Sequence, residues 1–273
     1  MNHNPESRIN DLNLEDWKEY QDILTDSLWI IGERAKSGAH TGEYHGNFIP
    51  QIPNQLMRRF TKKGDVVFDG FLGSGTTLIE SRRLGRHGIG IELVPEVAEK
   101  AMRNIAFELP IENVSTEVII ADSTTKEARE ELLARLNKYG WKNLHLIILH
   151  PPYHDIIKFS DLEADLCNAP TVADYIKKFG DVVENFVDLL ERKHYLAVVI
   201  GDKYTNSEWV PLGFYLMQEI LKRGKGLKLK SILIKNMVNN RAKRNLENLW
   251  RYRALVGGFY IFRHEYILLF RKV

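Results

Sequence analysis

FDGFLGSGTT, residues 68–77, joins the apolar run DVVFD to the segment TTLIESRRLG, whose apolar residues recur at helical spacing. A glycine-rich turn between a buried strand and a helix lets the backbone pass close to a ligand, because glycine has no side chain and accepts positive φ. The strand, turn and helix together predict the first unit of an alternating α/β fold. In such folds ligands bind at the carboxyl ends of the strands.

The same alternation continues to the end of the chain. Short apolar runs predict seven strands, which are DVVFD, GIGIE, STEVIIAD, LHLIILH, YLAVVIGD, KLKSILIK and HEYILLF. The segments between them predict helices, at residues 76–85, 95–109, 126–140, 172–193 and 212–224. This alternation is typical of a doubly wound, mostly parallel sheet, so we predict an α/β fold with seven strands. No long helix is predicted between the last two runs, which we expect to pair antiparallel.

The composition is that of an ordinary globular protein of 273 residues, with 44% hydrophobic and 27% charged residues. We expect one domain over residues 1–273, with a polar N-terminal lead-in at residues 1–44 that contains a short helix. The lone Cys167 excludes an intrachain disulfide. No charged leader precedes an apolar segment and no apolar run approaches the ~20 residues that span a bilayer, so we expect a cytoplasmic protein with no membrane partner.

Three classes of ligand compete for the glycine loop. A phosphate-binding loop has the pattern G-x-x-x-x-G-K-[ST], but Thr76 stands where the lysine would neutralise phosphate charge. A dinucleotide loop has G-x-G-x-x-G, whereas the glycines here are Gly70, Gly73 and Gly75. A ligand with a nucleoside but no phosphate fits the loop better than either.

Two acids end the next two predicted strands. Glu92 ends GIGIE about 20 residues after the loop, where a carboxylate can accept hydrogen bonds from both ribose hydroxyls. Asp122 ends STEVIIAD in the same way. A row of acids suits an adenosine that carries a positive sulfonium, which indicates S-adenosylmethionine as the cofactor. The alternative is that both acids cap the helices that follow, since carboxylates at helix N-termini are favoured by ~0.3–1 kcal/mol.

LIILHPPYHDII, residues 146–157, ends the fourth predicted strand in a histidine, two prolines and a tyrosine. Pro151 and Pro152 fix φ and remove backbone donors, so the chain leaves the sheet along a rigid, extended path. His150 and Tyr153 are therefore held near the carboxyl end of a strand, where a ligand binds. The alternative is a structural turn in which Tyr153 packs in the core.

These motifs resemble those of the amino-methyltransferases that act on exocyclic amines of nucleic acid bases, chiefly the DNA adenine-N6 and cytosine-N4 enzymes. FLGSGTT is similar to their cofactor loop and HPPY to their D/N/S-P-P-Y/F catalytic motif, in the gamma-type order. Residues 45–65 resemble the segment that closes over the methionine end of the cofactor. The resemblance covers residues 45–155 and implies a Rossmann-like methyltransferase fold. The cofactor-binding residues predicted from it and from the strand ends are Asp69, Phe71, Gly73, Ser74, Gly75, Thr76, Thr77, Glu92, Leu93, Asp122, His45 and Asn47.

The resemblance also implies how the catalytic motif acts. The exocyclic amine is a poor nucleophile, because its lone pair is delocalised into the ring, and two acceptors bound to its hydrogens expose that lone pair. The acceptors carried over from the family are the His150 side chain and the Pro151 carbonyl, and neutral imidazole can also take a proton. Tyr153 would stack on a base flipped from the duplex, so the predicted catalytic residues are His150, Pro151, Pro152 and Tyr153.

Two positions depart from the family pattern. Gly70 stands where the family usually has proline, which loosens the turn without removing a ligand. His150 stands where the family has Asp, Asn or Ser, and histidine leaves adenine and cytosine both open as the target base.

Residues 222–253 hold eleven of the 38 lysines and arginines of the chain, and Glu247 is the only acid in this range. On a protein of net charge +2 such a cluster predicts contacts with nucleic acid phosphates. We therefore expect DNA contact and target recognition within residues 203–262, and the predicted DNA-binding residues are Lys235, Arg241, Lys243, Arg244, Arg251 and Arg253. The alternative is a solvated loop. The histidines show no metal-ligand spacing, so no metal is predicted.

The sequence thus predicts a site-specific DNA methyltransferase that transfers a methyl group from S-adenosylmethionine to adenine N6 or cytosine N4. The alternatives are an RNA or protein-glutamine N-methyltransferase, and a non-catalytic nucleic-acid-binding domain of the same fold. A restriction endonuclease is a candidate partner, and no oligomeric state is predicted.

Overall fold

The computed structural model describes residues 9–40, 44, 46–237 and 247–273. In this part of the chain the strands are β1 Leu28–Trp29, β2 Val66–Asp69, β3 His87–Glu92, β4 Thr116–Ile120, β5 Leu144–Leu149, β6 Leu190–Ile200, β7 Lys203–Thr205, β8 Glu208–Val210, β9 Leu227–Asn236 and β10 His264–Lys272. The α-helices are α1 Gln51–Phe60, α2 Thr76–Leu84, α3 Pro95–Phe107, α4 Lys126–Tyr139, α5 Val172–Phe186, α6 Leu212–Arg223 and α7 Glu247–Gly257. Short 3-10 helices span Leu14–Glu19, His154–Ile156, Leu166–Asn168 and Val187–Leu189.

One eight-stranded sheet organises the fold, in the order β1-β9-β10-β6-β5-β2-β3-β4. All neighbouring pairs are parallel except those of β10, which runs antiparallel to both β6 and β9. Alternate residues of the central strands enter two cores, because successive side chains of a strand point to opposite faces. Phe68 and Ile147 pack with Phe179 of α5, whereas Val67 and Ile148 pack with Leu56 of α1.

The predicted fold is confirmed, with all seven predicted strands in one mostly parallel sheet and an antiparallel last pair. The elements that were not predicted include the edge strand β1, helix α1, and the separate hairpin formed by β7 and β8. The short helix expected in the N-terminal lead-in is the 3-10 helix Leu14–Glu19. None of the described helices is both long and apolar enough to cross a membrane.

Two predictions about individual elements were wrong. The helix predicted over residues 172–193 ends at Phe186, and the last four residues of that range begin β6. Leu190 is buried and pairs with Leu144 of β5, so sheet pairing overrides the helical spacing there. A helix of eleven residues, α7, also lies between the last two strands, where no long helix was expected.

The parallel strands bring several chain segments to one edge of the sheet. The carboxyl ends of β2, β3, β4, β5 and β6 lie side by side, so the glycine loop, Glu92, Asp122, the HPPY motif and residues 201–202 follow neighbouring strands. The crevice outside such strand ends is where open α/β sheets bind ligands.

Candidate active site

A cavity of about 480 Å³ opens at the carboxyl edge of the sheet. This volume is within the range of pockets that hold small ligands. Its lining comes from the glycine loop, the acidic strand ends, the HPPY motif and strands β9 and β10. The predicted residues that line it are Asn47, Phe71, Gly73, Glu92, Leu93, Asp122, His150, Pro151, Pro152, Tyr153 and Lys235.

The glycine loop is held from behind by a buried carboxylate. Asp69 is 1% exposed and accepts hydrogen bonds from Thr77 Oγ1 at 2.5 Å and from the Phe71 amide at 2.9 Å. Burial raises the pKa of Asp69 to about 6, against the lowering effect of these two hydrogen bonds. Asp69 and Thr77 therefore fix the shape of the turn and do not line the cavity, although both were predicted to bind the cofactor.

The segment before α1 is fastened to the same loop through Asn47. The amide nitrogen of Asn47 donates to Ser74 Oγ at 2.6 Å, and its amide oxygen accepts from Thr76 Oγ1 at 2.8 Å. Ser74 and Thr76 are buried and, like Gly75 at the start of α2, lie outside the lining. These predicted cofactor residues thus shape the loop. His45 lies outside the described residues.

Glu92 lines the cavity and bonds two backbone amides, one in the glycine loop and one just before α3. Its Oε1 accepts from the Val94 amide at 3.0 Å, next to the start of α3, and its Oε2 accepts from the Gly73 amide at 2.8 Å. Each carboxylate oxygen has a second lone pair, so Glu92 can accept further hydrogen bonds from a ligand in the cavity. Burial raises the pKa of Glu92 to about 7.

Asp122 also caps a turn at the cavity edge. Its Oδ1 accepts from the Thr124 amide at 2.9 Å and from Thr124 Oγ1 at 2.8 Å, just before α4. Helix α4 itself is capped by Thr125, whose side chain accepts from the Ala128 amide, so the helix-capping alternative is wrong for Asp122, which also lines the cavity.

These residues fit a sulfonium cofactor. Gly73 has φ of +54°, a conformation that is strained for other residues, and a Cβ atom on it would lie only 3.2 Å from the Tyr44 ring. Carboxylates of the lining favour a cation, and no lysine or arginine of the described lining is free to bind a phosphate, since Lys235 is paired with Glu265. Phe159 supplies apolar surface beside Tyr44, with ring centroids 6.1 Å apart, and Phe48 supplies it beside His150.

The HPPY motif lines the same cavity, directly after β5. The ring of His150 lies 5.0 Å from that of Phe48, and its Nε2 is 3.3 Å from Tyr153 Oη. Burial lowers the pKa of His150 to about 4, so the imidazole is neutral at ordinary pH. Tyr175 Oη donates to the Pro152 carbonyl at 2.7 Å, whereas none of the described residues donates to the carbonyl of Pro151.

Glu265 is a site residue that sequence reasoning missed. It is 7% exposed at the start of β10, accepts from Tyr153 Oη at 2.9 Å, and pairs with Lys235 Nζ at 2.8 Å. Lys235 was predicted to contact DNA, but it is 6% exposed and lies inside the cavity lining. The available signal was a lysine at the end of one predicted strand and an acid at the start of the next, since ionisable groups are buried only when paired.

A lysine of β7 holds the loop that follows the motif. Lys203 is buried, and its Nζ donates to His154 Nδ1 at 2.9 Å and to Asp155 Oδ1 at 2.6 Å. His154 Nε2 bonds the Ala169 carbonyl at 2.8 Å, and its backbone is left-handed, with φ of +52°. Lys203 thus joins His154 and Asp155, whose Nδ1 and Oδ1 atoms lie 3.4 Å apart.

The predicted DNA-binding residues other than Lys235 lie after β9, and the structure describes only some of them. Arg251 and Arg253 are exposed on α7, where the Arg253 guanidinium lies 5.4 Å from the Trp250 ring. Arg241, Lys243 and Arg244 lie outside the described residues. Met237 and Phe262, which flank the connection between β9 and β10, line the cavity, so this connection leaves the sheet and returns to it at the site.

A histidine cluster lies at the opposite edge of the sheet. His145, Glu191 and His194 bring ligand atoms within 4.8 Å of one another, although their spacing in sequence indicated no metal site. The Val66 amide donates to His145 Nδ1 at 3.0 Å, which leaves the proton on Nε2, 3.0 Å from a Glu191 oxygen. A protonated nitrogen cannot ligate a metal, so His145 is arranged to bind Glu191.

Known proteins match part of this chain in sequence. Residues 2–103 match the DNA methylase family. The match confirms the resemblance to S-adenosylmethionine-dependent DNA amino-methyltransferases predicted from the motifs, and it supports the predicted cofactor. The type II methyltransferase M.MjaII of Methanocaldococcus jannaschii is 36% identical over 80 residues, which are 29% of this chain and 14% of that protein. M2.DpnII of Streptococcus pneumoniae is 34% identical over 99 residues, 35% of this chain and 34% of that protein. The matched segments are therefore about a third or less of either relative.

Solved structures of low sequence identity share the fold over most of the chain. The geranyl diphosphate C-methyltransferase of Streptomyces coelicolor, solved with S-adenosyl-L-homocysteine, is 10% identical with a TM-score of 0.50, over 97% of this chain and 94% of that one. The precorrin 8w decarboxylase of Methanobacterium thermoautotrophicum is 13% identical with a TM-score of 0.50, over 89% and 100%. These likenesses establish the Rossmann-like fold.

Proposed function

We propose that this chain is a DNA methyltransferase that uses S-adenosylmethionine to methylate the exocyclic amine of adenine or cytosine in a base flipped from the duplex. The observation that supports this proposal is a single cavity lined by both Gly73 with Glu92 and by His150 with Tyr153. Two motifs that lie about eighty residues apart in the sequence thus face the same space. A non-catalytic domain would not need the second motif there.

The cofactor end of the cavity is formed by the glycine loop and Glu92. When bound, S-adenosylmethionine supplies an electrophilic methyl group on a positive sulfur. Glu92 would accept from the ribose hydroxyls, while its existing bond from the Gly73 amide fixes the carboxylate in place. Asp122 and Leu93 line the same end, and Phe48 and Tyr44 close the opposite side.

The base end of the cavity is formed by the HPPY motif. The amine hydrogens would be accepted by the neutral His150 imidazole and by the Pro151 carbonyl, which directs the nitrogen lone pair toward the methyl group. The new N–C bond would form as the S–CH3 bond of the cofactor breaks, and the amine proton would pass to solvent water. Because burial lowers the pKa of His150 to about 4, we propose that His150 acts as an acceptor and not as the final base.

The DNA would reach this cavity along the region of residues 203–262. Phe262 lines the cavity and packs against Trp209 of the β7–β8 hairpin, with ring centroids 4.5 Å apart. Arg251 and Arg253 are exposed on the helix between Met237 and Phe262, so backbone phosphates at the cavity entrance would meet positive charge. A paired restriction endonuclease is part of this proposal, since the relatives are type II methyltransferases.

Methylation followed by nucleoside mass spectrometry tests the proposal. The chain is purified from a host without DNA methyltransferases, incubated with duplex DNA and methyl-labelled cofactor, and the DNA is digested to nucleosides. We expect labelled N6-methyladenine or N4-methylcytosine, which also identifies the base, and a His150→Ala preparation serves as the control for contaminating activity. Label found only in parallel RNA or protein substrates, or bound cofactor with no labelled product, would contradict the proposal.

A further inference from the structure

Four side chains form a continuous hydrogen-bonded series from the end of the sheet to the base end of the cavity. Lys235 Nζ lies 2.8 Å from Glu265 Oε1, and Glu265 Oε2 lies 2.9 Å from Tyr153 Oη. Tyr153 Oη in turn lies 3.3 Å from His150 Nε2. Lys235 and Glu265 come from β9 and β10, which are neighbours in the sheet with these two residues in register.

The direction of each hydrogen bond in this series follows from the groups themselves. The ammonium of Lys235 only donates, and the carboxylate of Glu265 only accepts. The phenol of Tyr153 has one hydrogen, which Glu265 accepts, so the phenol oxygen can only accept from His150. The hydrogen of the neutral imidazole is therefore on Nε2.

A neutral imidazole with its hydrogen on Nε2 has its lone pair on Nδ1. Among the described residues none donates to His150 Nδ1, and His150 lines the cavity. The Phe48 ring packs against the imidazole with centroids 5.0 Å apart, which holds the ring in its plane. The opposite tautomer would present an N–H group to the N–H of a base amine, and no hydrogen bond would form.

We propose that Glu265, held by Lys235, is a positioning residue that acts through Tyr153 to fix the Nε2–H tautomer of His150, so that Nδ1 accepts a hydrogen of the target amine. This inference rests on the proposed function for its second half, while the tautomer is a property of the free protein. It explains how histidine can replace the usual acidic or amide residue of the motif. A carboxylate has acceptors in every orientation, whereas an imidazole needs its tautomer fixed from outside.

Substitution of Glu265 by glutamine should reverse the direction of the hydrogen bonds from residue 265 through Tyr153 to His150. Because Lys235 can only donate, it turns the amide oxygen toward itself and leaves the amide N–H₂ group facing Tyr153. The phenol oxygen then accepts from Gln, its hydrogen turns to His150 Nε2, and the imidazole hydrogen moves to Nδ1. The change keeps the size of the side chain, so the packing around the ion pair is conserved.

Nitrogen-15 NMR of histidine-labelled protein, without DNA or cofactor, measures the tautomer directly. His150→Gln identifies the His150 signals by their loss. In the wild type we expect a protonated Nε2 and an unprotonated Nδ1, and in Glu265→Gln we expect the reverse. Asp202→Asn is the matched control, because Asp202 is another buried carboxylate of the cavity that bonds Trp209 and Tyr266 instead. His150 should keep its wild-type tautomer in this control.

The same variants are then compared in methyl transfer. Glu265→Gln should lower kcat by at least about tenfold with little change in the cofactor Kd, since a carboxylate behind a histidine sets its tautomer and activity. If Glu265→Gln does not fold, Tyr153→Phe breaks the series without touching the ion pair and should give a mixture of both tautomers. A wild-type Nδ1–H tautomer, or an unchanged tautomer in Glu265→Gln or Tyr153→Phe, would overturn the inference. If the tautomers are as expected but no DNA is methylated, the proposed function is wrong and the tautomer inference stands.

Discussion

Glu92 is the lining carboxylate whose charge state we expect to govern the affinity for the cofactor. Its pKa is raised to about 7 by burial, so at lower pH the folded protein holds it neutral. A sulfonium cation and two hydroxyl donors favour the carboxylate, which forms as pH rises through that value. The affinity for S-adenosylmethionine should therefore weaken as pH falls from 8 to 6, approaching tenfold per pH unit below the pKa.

Calorimetric titration with S-adenosylmethionine across this pH range checks the prediction. Glu92→Gln should bind more weakly at pH 8 and lose the pH dependence between 6 and 8. Glu96→Gln makes the same change at an exposed position four residues away and should bind like the wild type. A wild-type affinity that is flat across the range would show that the Glu92 carboxylate does not contact the cofactor.

His150 makes a different prediction, because its pKa is lowered to about 4. An ordinary histidine becomes protonated below about pH 6.5 and would lose its acceptor. Buried in this site, His150 stays neutral well below that pH. With saturating cofactor and DNA, the single-turnover rate should show no loss centred near pH 6.5, and His150→Ala should be about 100-fold slower or more. A His150→Asn variant keeps an acceptor and should retain more activity than His150→Ala, whereas equal loss in both would argue against the acceptor role.

The sequence identifies some of the site residues and misses others for a physical reason. Gly73, Glu92 and His150 follow strands of one parallel sheet, so their meeting at one edge could be predicted from the order of elements alone. Glu265 follows the motif by more than a hundred residues, and its contact with Tyr153 depends on the pairing register of β10 with β6 and of β6 with β5. Register is set by tertiary packing and cannot be read from the motif.

At the scale of elements, the loop after β5 depends on Lys203 of the β7–β8 hairpin. Lys203→Met would leave His154 Nδ1 without a donor in a buried position and Asp155 without its partner. The unfolding free energy should fall by about 1–3 kcal/mol, because a buried polar group left unpaired loses its compensation. Methyl transfer should weaken as well, since this loop directly follows Tyr153.

Chemical denaturation and limited proteolysis of the loop 154–168 check this expectation. Lys158→Met removes a lysine from the same loop whose partner, Asp161, is exposed, and it should leave stability unchanged. Equal stability of both variants would show that Lys203 does not hold the loop.

The elements themselves were predictable where one periodicity dominates. β2, β5 and α2 have continuous apolar or helical patterns, and they appear as predicted. Residues 190–193 fit either a helix or a strand, and their pairing with β5 decides the outcome. The hairpin of β7 and β8 has three residues per strand, too short for a pattern to be read, and it forms because Tyr204 and Trp209 pack against Phe259 and Phe262.

At the scale of the whole molecule, the sheet separates the basic residues into two groups. β9 carries Lys228 near its start and Lys235 near its end, and its ten residues extend about 30 Å from one edge of the sheet to the other. Lys222 pairs with Glu219, and Arg223 with Asp181 and Glu184, at the edge away from the cavity. Only the later part of the basic cluster lies in the connection that begins and ends at the cavity.

This separation predicts which charges govern the salt dependence of DNA binding. Arg251→Ala with Arg253→Ala removes two exposed charges from the connection, so the slope of log K against log salt should become shallower by about 2, at ~0.9 per phosphate contact. Lys142→Ala with Arg192→Ala removes two exposed charges from the opposite edge of the sheet, before β5 and in the first residues of β6, and the slope should not change. Fluorescence anisotropy of a labelled duplex over a range of salt concentrations measures both. Because the two double variants have the same net charge, a general loss of positive charge would lower both slopes equally, and that result would contradict a DNA contact at α7.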